Sequence, residues 1–215
     1  MHSAQDVLQF WFGGDSLAGD ALAEAGLAAR LAERTTFWFG GDGAEAQAGR
    51  DALIRAELEP LLERAARGEL ASWISGPKRR LALILLFDQV PRNAYRGTAA
   101  AFAFDREALT VAFEGLQLAA DAALTPIERV FFYLPLEHAE SMDAQDASVA
   151  AYQRLAADAP EALRKFCAST LKYARGHREI IRKFKRFPHR NKVLERQNTP
   201  EETEWLAAEG ESFGQ

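Results

Sequence analysis

The stretch LALILLFDQVPRNAYRGT (residues 81–98) decides the fold class of this 215-residue chain. Its first seven residues are all apolar, so a helix that contains them has no polar face and must be covered on nearly all sides. A globular core provides such cover. We therefore expect a helix that begins at Pro77, runs through Phe87 and lies at the centre of the fold.

The composition of the whole chain favours helix over sheet. It holds 41 alanines against 15 glycines and 8 prolines, and alanine is the best helix former. Apolar residues recur at helical spacing in residues 45–67 and 105–122. The 48% of hydrophobic and 27% of charged residues are typical of a globular protein and exclude a disordered or collagen-like chain. We predict one all-α domain over residues 1–215.

The hexapeptide FWFGGD occurs twice, at residues 10–15 and 37–42. Each copy predicts an aromatic helix end that packs in the core and is stopped by a glycine pair, because glycine accepts the left-handed cap conformation. The first of these helices is expected to begin near Asp6, with Ser3 as its cap. The Ala-rich segment between the copies, residues 20–36, is helical by propensity.

Helix starts at Thr125, Asp143 and Pro160 are spaced by 18 and 17 residues. Two helices with such short joins form a hairpin of about 34 residues, which is the period of the tetratricopeptide repeat. Phe132, Ser148 and Tyr152 fall where that repeat prefers aromatic, small and aromatic residues. The sequence therefore predicts stacked antiparallel hairpins, and a capping box at residues 199–202 predicts a short final helix.

Several protein classes are excluded by what the sequence lacks. Cys167 is the sole cysteine, so an intrachain disulfide, a thiolate metal cluster and a CxxC redox pair are all excluded. The first residues do not form a signal peptide, and no apolar run reaches the ~18 residues of a membrane span. We expect a cytoplasmic protein without a membrane partner.

The net charge of −5 is unevenly distributed. Residues 164–196 contain twelve Lys and Arg and two acidic residues, a local charge of +10 that leaves −15 on the rest. This basic block either neutralises the acidic body within the fold or binds anionic partners. The sequence argues against a nucleic-acid partner, because the chain is acidic overall and few exposed aromatic residues are expected beside the block.

The first group of candidate site residues follows the apolar helix. Asp88 at a helix C-terminus would oppose the helix dipole and needs a cation, for which Arg92 and Arg96 are the nearest candidates. Pro91 is expected to end the helix and place Arg92 and Asn93 on a turn. The turn is either locked by an Asp–Arg ion pair or presents both arginines to a ligand.

The second group repeats this pattern near the end of the basic block. His189, Arg190 and Asn191 follow Pro188, as Arg92 and Asn93 follow Pro91. Because proline ends a helix and arginine can reach outward from the next turn, we expect both Pro-Arg-Asn loops to face one cavity.

The third group lies in LPLEHAESM (residues 134–142), where polar residues follow an apolar helix face. Helical spacing turns Glu137 and His138 towards the core or a cavity in it, and it turns His177 inward on a later helix. Each histidine is either a hydrogen-bonded core residue or part of a site. Together with His189 and Glu140 they would suit a divalent metal by ligand type, but no spaced ligand motif is present. We therefore predict no metal and no cofactor, and phosphate loops and a GxSxG elbow are also absent.

The chain resembles the bacterial family catalogued as domain of unknown function 924, a tetratricopeptide-like helical family. The strings that carry the resemblance are VLQFWFG (7–13), LALILLFDQVPRNAYRGTAAAFAFD (81–105), ERVFFYLPLEHAES (128–141), FPHRNKVLER (187–196) and NTPEE (198–202). The resemblance implies a tetratricopeptide-like right-handed superhelix, and it brings no activity, substrate or catalytic residue with it.

Two functional classes follow from these residues. The first is a binding module that captures a peptide or a small anionic ligand in a concave or internal pocket through Arg92, Arg96, Arg190 and His189. The second is an enzyme that uses Glu137, His138 and His177 as acid, base or metal ligands. The first is preferred, because the sequence contains no recognisable reaction motif.

Overall fold

A computed structural model describes residues 3–14 and 27–208 of the chain. Within these ranges the protein is built of helices and has no strand, which confirms the all-α prediction. The α-helices are α1 (Ala4–Phe12), α2 (Leu27–Phe39), α3 (Ala44–Ala66), α4 (Pro77–Ile84), α5 (Val90–Ala94), α6 (Asp105–Gln117), α7 (Pro126–His138), α8 (Met142–Ala157), α9 (Arg164–Phe184) and α10 (Pro200–Ala208). Of the helix expected over residues 20–36, residues 20–26 lie outside the described ranges. None of the described helices has the length and apolar composition needed to cross a bilayer.

The central helix is longer than predicted, because α4 continues into α5 through a π-helical turn at Leu85–Gln89. In this turn the Val90 N–H bonds the Leu85 carbonyl, five residues back. Pro91 therefore does not end the helix, and the prediction that it places Arg92 and Asn93 on a loop is wrong. A wider turn accommodates the proline ring and its missing N–H without breaking the helix.

Asp88 lies inside this continuous helix, in the π turn, and not at a helix C-terminus as predicted. The side chains before and after it are fully buried, including Leu81, Ile84, Leu85 and Val90. This confirms that the apolar stretch forms the centre of the fold. The main core extends around it from Ala4 to Ala174, and a smaller apolar cluster is formed by Ile180, Ile181, Phe187 and Trp205.

Aromatic residues of the two FWFGGD copies meet in the core as predicted, although Phe39 is 48% exposed and Asp15 lies outside the described residues. Rings of both copies contact Phe131 of α7, with centroid distances of 5.8 Å for Trp11 and 4.8 Å for Trp38. The Trp38 indole N–H donates a hydrogen bond to the Trp11 carbonyl at 2.8 Å. Gly13 and Gly40 follow the two helices with φ of 79° and 78°, so both helix stops use the left-handed conformation.

Helices α7, α8 and α9 follow the predicted rhythm with shifted ends, and α8 packs against both neighbours. Helix α7 ends at His138, and Ser141, not Asp143, caps α8. The Gln145 side-chain amide of α8 donates to the carbonyls of Glu137 at 2.7 Å and Ala139 at 2.9 Å. Helix α7 can therefore end inside the protein without unpaired carbonyls at these two residues.

Close packing of α6 against α4 and α7 depends on the absence of a side chain at Gly115. A Cβ there would lie 2.5 Å from Phe132 and 2.6 Å from Arg80. Gly115→Ala is therefore expected to lower the unfolding free energy by about 1 to 3 kcal/mol through overpacking. Gly49 of α3 is the matched control, because no atom lies near its Cβ position. Gly49→Ala should raise stability by about 0.5 to 1 kcal/mol, as measured by urea denaturation. Equal effects of the two substitutions would contradict the packing argument.

Candidate functional site

A cavity of about 440 Å³ lies between α2, α7, α8 and α9. Helices α2, α7 and α9 contribute residues at helical spacing, so that each lines the cavity with one face, and α8 contributes Tyr152. The lining residues are Thr35, Phe39, Val130, Leu134, Glu137, His138, Tyr152, Phe166, Ser169, Thr170, Tyr173 and His177. This volume is typical of a small-molecule site and is too small for a folded partner.

The cavity has an aromatic edge and a polar interior. Phe39 and Tyr173 line it and are 48% and 57% exposed, so these rings lie where the cavity meets solvent. The side chains of Glu137, His138 and His177 line it too but are buried. A molecule in the cavity would therefore contact aromatic surface at the edge and hydrogen-bonding groups inside.

His138 is oriented by Asp88, which is 1% exposed. The His138 Nδ1 lies 2.7 Å from Asp88 Oδ1, and the Gln89 amide donates to Asp88 Oδ2 at 2.5 Å. Because a carboxylate accepts, Nδ1 carries the proton and the lone pair of a neutral ring is on Nε2. Burial acts to raise the pKa of Asp88, but Arg92 and then His138 outweigh it, and the pKa lies well below its usual range.

The charge of Asp88 is balanced behind the cavity. Arg92 Nη1 lies 3.3 Å from Asp88 and 2.8 Å from Asp105, whose other oxygen is 3.3 Å from Arg190 Nη1. Two carboxylates thus face two guanidinium groups, and neither histidine must be charged to neutralise the cluster. Arg190 also donates to the His138 carbonyl at 3.1 Å. The predicted ion pair between Asp88 and an arginine is confirmed for Arg92.

Glu137 and His177 form a second pair inside the cavity. His177 Nδ1 lies 3.1 Å from Glu137 Oε1 and 3.0 Å from the Tyr173 carbonyl. Since a carbonyl can only accept, Nδ1 of His177 carries a proton. The His177 and His138 rings are 6.4 Å apart, so the two pairs are neighbours.

The pKa shifts keep this polar interior uncharged near neutral pH. Burial, with a smaller contribution from the Asp88 charge, raises the pKa of Glu137 to about 8. Burial also lowers the pKa of His177 to about 3. The pKa of His138 is lowered by burial and by Arg92, although Asp88 opposes the shift. A protonated carboxyl and two neutral imidazoles therefore face the cavity at pH 7.

The other predicted site residues lie outside the cavity lining and are engaged within the protein. Arg96 donates to both oxygens of Asp51, at 2.7 and 3.1 Å, and to Asn93 at 2.9 Å. The Asn93 amide donates to the Gln89 carbonyl at 2.7 Å. The His189 ring packs on the Phe187 ring, with 5.4 Å between the centroids. The Asn191 side-chain amide donates to the side chains of Asn198 and Glu202.

The expectation that both Pro-Arg-Asn loops face this cavity is therefore wrong, because no residue of either loop is among its lining residues. His138 joins the two predicted loops, because it contacts Asp88 on one side and Arg190 on the other. The arginines themselves lie behind His138 and do not line the cavity of about 440 Å³. Their distance from the cavity follows from the uninterrupted central helix, which keeps Arg92 buried beside Asp88. Across the described residues, no three carboxylate, histidine or cysteine side chains are arranged to hold a metal ion.

Sequence reasoning missed several residues of the site. Tyr152 was expected only as a packing residue, yet its ring lines the cavity and its hydroxyl donates to the Val130 carbonyl at 2.8 Å. Tyr173 lies four residues before His177 on α9 and lines the same cavity, but helical spacing alone does not single it out. Asp105 contacts both Arg92 and Arg190, and Arg190 lies 85 residues after Asp105, so no local sequence signal exists for this contact.

Comparison with known proteins identifies the family of this chain. Residues 7–210 match the family described as bacterial protein of unknown function (DUF924). The chain belongs to this family. A solved structure of a protein of unknown function from Agrobacterium tumefaciens is similar, with 36% sequence identity and a TM-score of 0.68, over 83% of this chain and 97% of that one. No curated protein matches the chain. Family membership therefore shows that these proteins are related, but it assigns no activity to the cavity.

Proposed function

We propose that the cavity between α2, α7, α8 and α9 binds a small uncharged molecule with an apolar, aromatic-sized body and one hydrogen-bonding end. The observation that carries this proposal is the convergence of Glu137, His138 and His177 inside a cavity whose other walls are largely apolar. Such a lining, with few polar groups at one place, is typical of small-molecule sites.

The charge of the lining favours an uncharged ligand over the anion that the sequence suggested. No lysine or arginine is among the lining residues. Arg92 and Arg96 are in contact with the carboxylates of Asp88, Asp105 and Asp51. An anion inside the cavity would therefore lose its hydration shell without meeting a compensating charge.

The tetratricopeptide-like superhelix stays part of this proposal. Its support is the packing of α8 against α7 and α9, and the full burial of Phe132, Ser148 and Tyr152 at the positions where the repeat prefers such residues. In that arrangement the cavity lies between a helical hairpin and the next helix, where repeat proteins form concave surfaces.

The binding proposal is tested by closing the cavity. Thr170 lines it from α9, and its hydroxyl donates to the Cys167 carbonyl of its own helix, so Thr170→Trp fills the cavity at little cost elsewhere. The neutral probe 2-indanone should bind the wild type and raise its melting temperature by mass action, and Thr170→Trp should abolish both effects. Lys172→Trp, on an exposed position of the same helix, is the matched control and should bind like the wild type.

Inorganic phosphate at matched ionic strength separates the two ligand classes. We expect it to raise the melting temperature no more than chloride does. A saturable increase of the melting temperature by phosphate that is absent for 2-indanone would overturn the proposal. It would favour anion binding by Arg92, Arg96 and Arg190.

A further inference from the structure

Two groups inside the cavity have the protonation states that acid–base chemistry at neutral pH requires. His138 presents a base, because its Nδ1–H donates to Asp88 at 2.7 Å, which leaves the lone pair on Nε2 of a ring that lines the cavity. Glu137, the preceding residue, presents a carboxyl group in a site that burial keeps neutral. Base and acid thus lie side by side at the end of α7.

Nucleophilic catalysis is not supported by the same geometry. The lining contains hydroxyl groups on Thr35, Ser169 and Thr170, but within the described part of the chain none of them is hydrogen-bonded to His138. Cys167 is buried and is not among the lining residues, and burial raises the pKa of its thiol to about 11. A base without a nucleophile to activate can still move protons of the bound molecule itself.

We propose that His138 and Glu137 interconvert the keto and enol forms of a small aryl-substituted carbonyl compound bound in the cavity. This inference rests on the proposed small-molecule binding function. His138 Nε2 removes a proton from the carbon next to the carbonyl group, and the electrons of that C–H bond form the C=C bond. The carbonyl π electrons move to oxygen, which takes the proton of Glu137. An imidazolium and a carboxylate result, and transfer of the proton back from His138 to Glu137 restores the site without a co-reactant.

The carbonyl class follows from where the donor and the base lie. Enolisation develops negative charge on an oxygen two bonds from the carbon that loses the proton, and a neutral carboxyl group stabilises such charge by donating a hydrogen bond. The aryl part follows from the aromatic lining, which includes Phe39, Phe166 and Tyr173. Among the described residues, the titratable and charged groups that act on the acid and the base are Asp88, Arg92, Tyr152 and Arg190. His177 lies beside Glu137, and His189 acts on His177.

The test measures how fast the α-protons of 2-indanone and phenylacetone exchange in D2O. The exchange is monitored as the loss of their α-proton NMR signals. The wild type should accelerate exchange saturably over buffer. His138→Gln and Glu137→Gln should each reduce the enzymatic rate by about 100-fold or more, which is the usual contribution of a general acid or base. Glu107→Gln, the same chemical change at an exposed carboxylate of α6, should leave the rate unchanged.

Asp88 is a positioning residue in this scheme, and the pH dependence of the exchange rate tests that role. The rate should rise with pH as His138 loses its proton and fall as Glu137 ionises. Asp88→Asn removes the negative charge that raises the pKa of His138, so the acidic limb should move to lower pH. A purely structural role would lower the amount of folded protein without moving this limb.

Binding and exchange are measured on the same samples, so the two proposals fail separately. If the probes bind by saturation-transfer NMR but exchange no faster than in buffer, or if exchange survives in both His138→Gln and Glu137→Gln, the acid–base inference is wrong and the binding proposal stands. If neither probe binds, both proposals are wrong.

Discussion

Replacement of Asp88 by asparagine is expected to lower the unfolding free energy by about 3 kcal/mol, the lower end of the cost of removing one member of a buried ion pair. Asp88 is 1% exposed and accepts hydrogen bonds from His138 and Gln89. An asparagine of the same shape cannot balance the buried charge of Arg92, which is then left with Asp105 alone.

Urea denaturation of Asp88→Asn and the wild type measures this loss. Asp42→Asn is the matched control, because Asp42 pairs with Arg50 at the surface, and no measurable change is expected there. Equal unfolding midpoints for Asp88→Asn and the wild type would show that the central cluster does not depend on the charge of Asp88.

The second large effect is a pH dependence that Glu137→Gln removes. Burial raises the pKa of Glu137 to about 8 from 4.5, so the folded protein keeps a proton that the unfolded chain releases above pH 4.5. The unfolding free energy of the wild type therefore falls as pH rises towards 8 and then levels off. The pKa of His177 is lowered from 6.5 to about 3, so its opposing contribution ends near pH 6.5.

Between pH 6.5 and 8 Glu137 dominates this dependence, because His177 and His138 finish titrating in the unfolded chain just above pH 6.5. The unfolding free energy falls by about 1 to 2 kcal/mol over this interval, at 1.36 kcal/mol per pKa unit. Glutamine has nearly the shape of a protonated glutamate and does not titrate, so the variant should keep its stability over this interval. Melting curves of both proteins at pH 6.5 and 8 check the prediction, with Glu107→Gln as the control that should follow the wild type. A parallel fall in both proteins would mean that Glu137 is already ionised at pH 6.5.

Much of the fold could be predicted from local sequence patterns. The all-apolar residues 81–87 predict the central helix, the FWFGGD copies predict the aromatic contacts, and the cap at Ser3 is present as a capping box. These features depend on side chains and turn preferences within one or two helical turns. The prediction failed at Pro91, because a π turn depends on the packing around the whole helix and has no sequence signature.

The candidate site was predicted in part for the same physical reason. Helical spacing turns Glu137, His138 and His177 inward, and the structure places all three at one cavity. Spacing along one helix does not tell which helix lies opposite, so the contacts of His138 with Asp88 and Arg190 could not be derived. The same limit explains why the arginines were expected at the cavity and are found behind it.

In the proposed function an uncharged polar cluster inside the cavity receives the ligand, and NMR spectra of protein labelled with 15N-histidine report on that cluster. At pH 7 we expect a neutral His138 ring with its proton on Nδ1, and a shift of the His138 Nε2 signal when 2-indanone is added. The His189 signals, from a ring outside the cavity lining, should move less. A doubly protonated His138 at pH 7, or binding of 2-indanone without a shift of the His138 Nε2 signal, would show that this cluster does not receive the ligand as proposed.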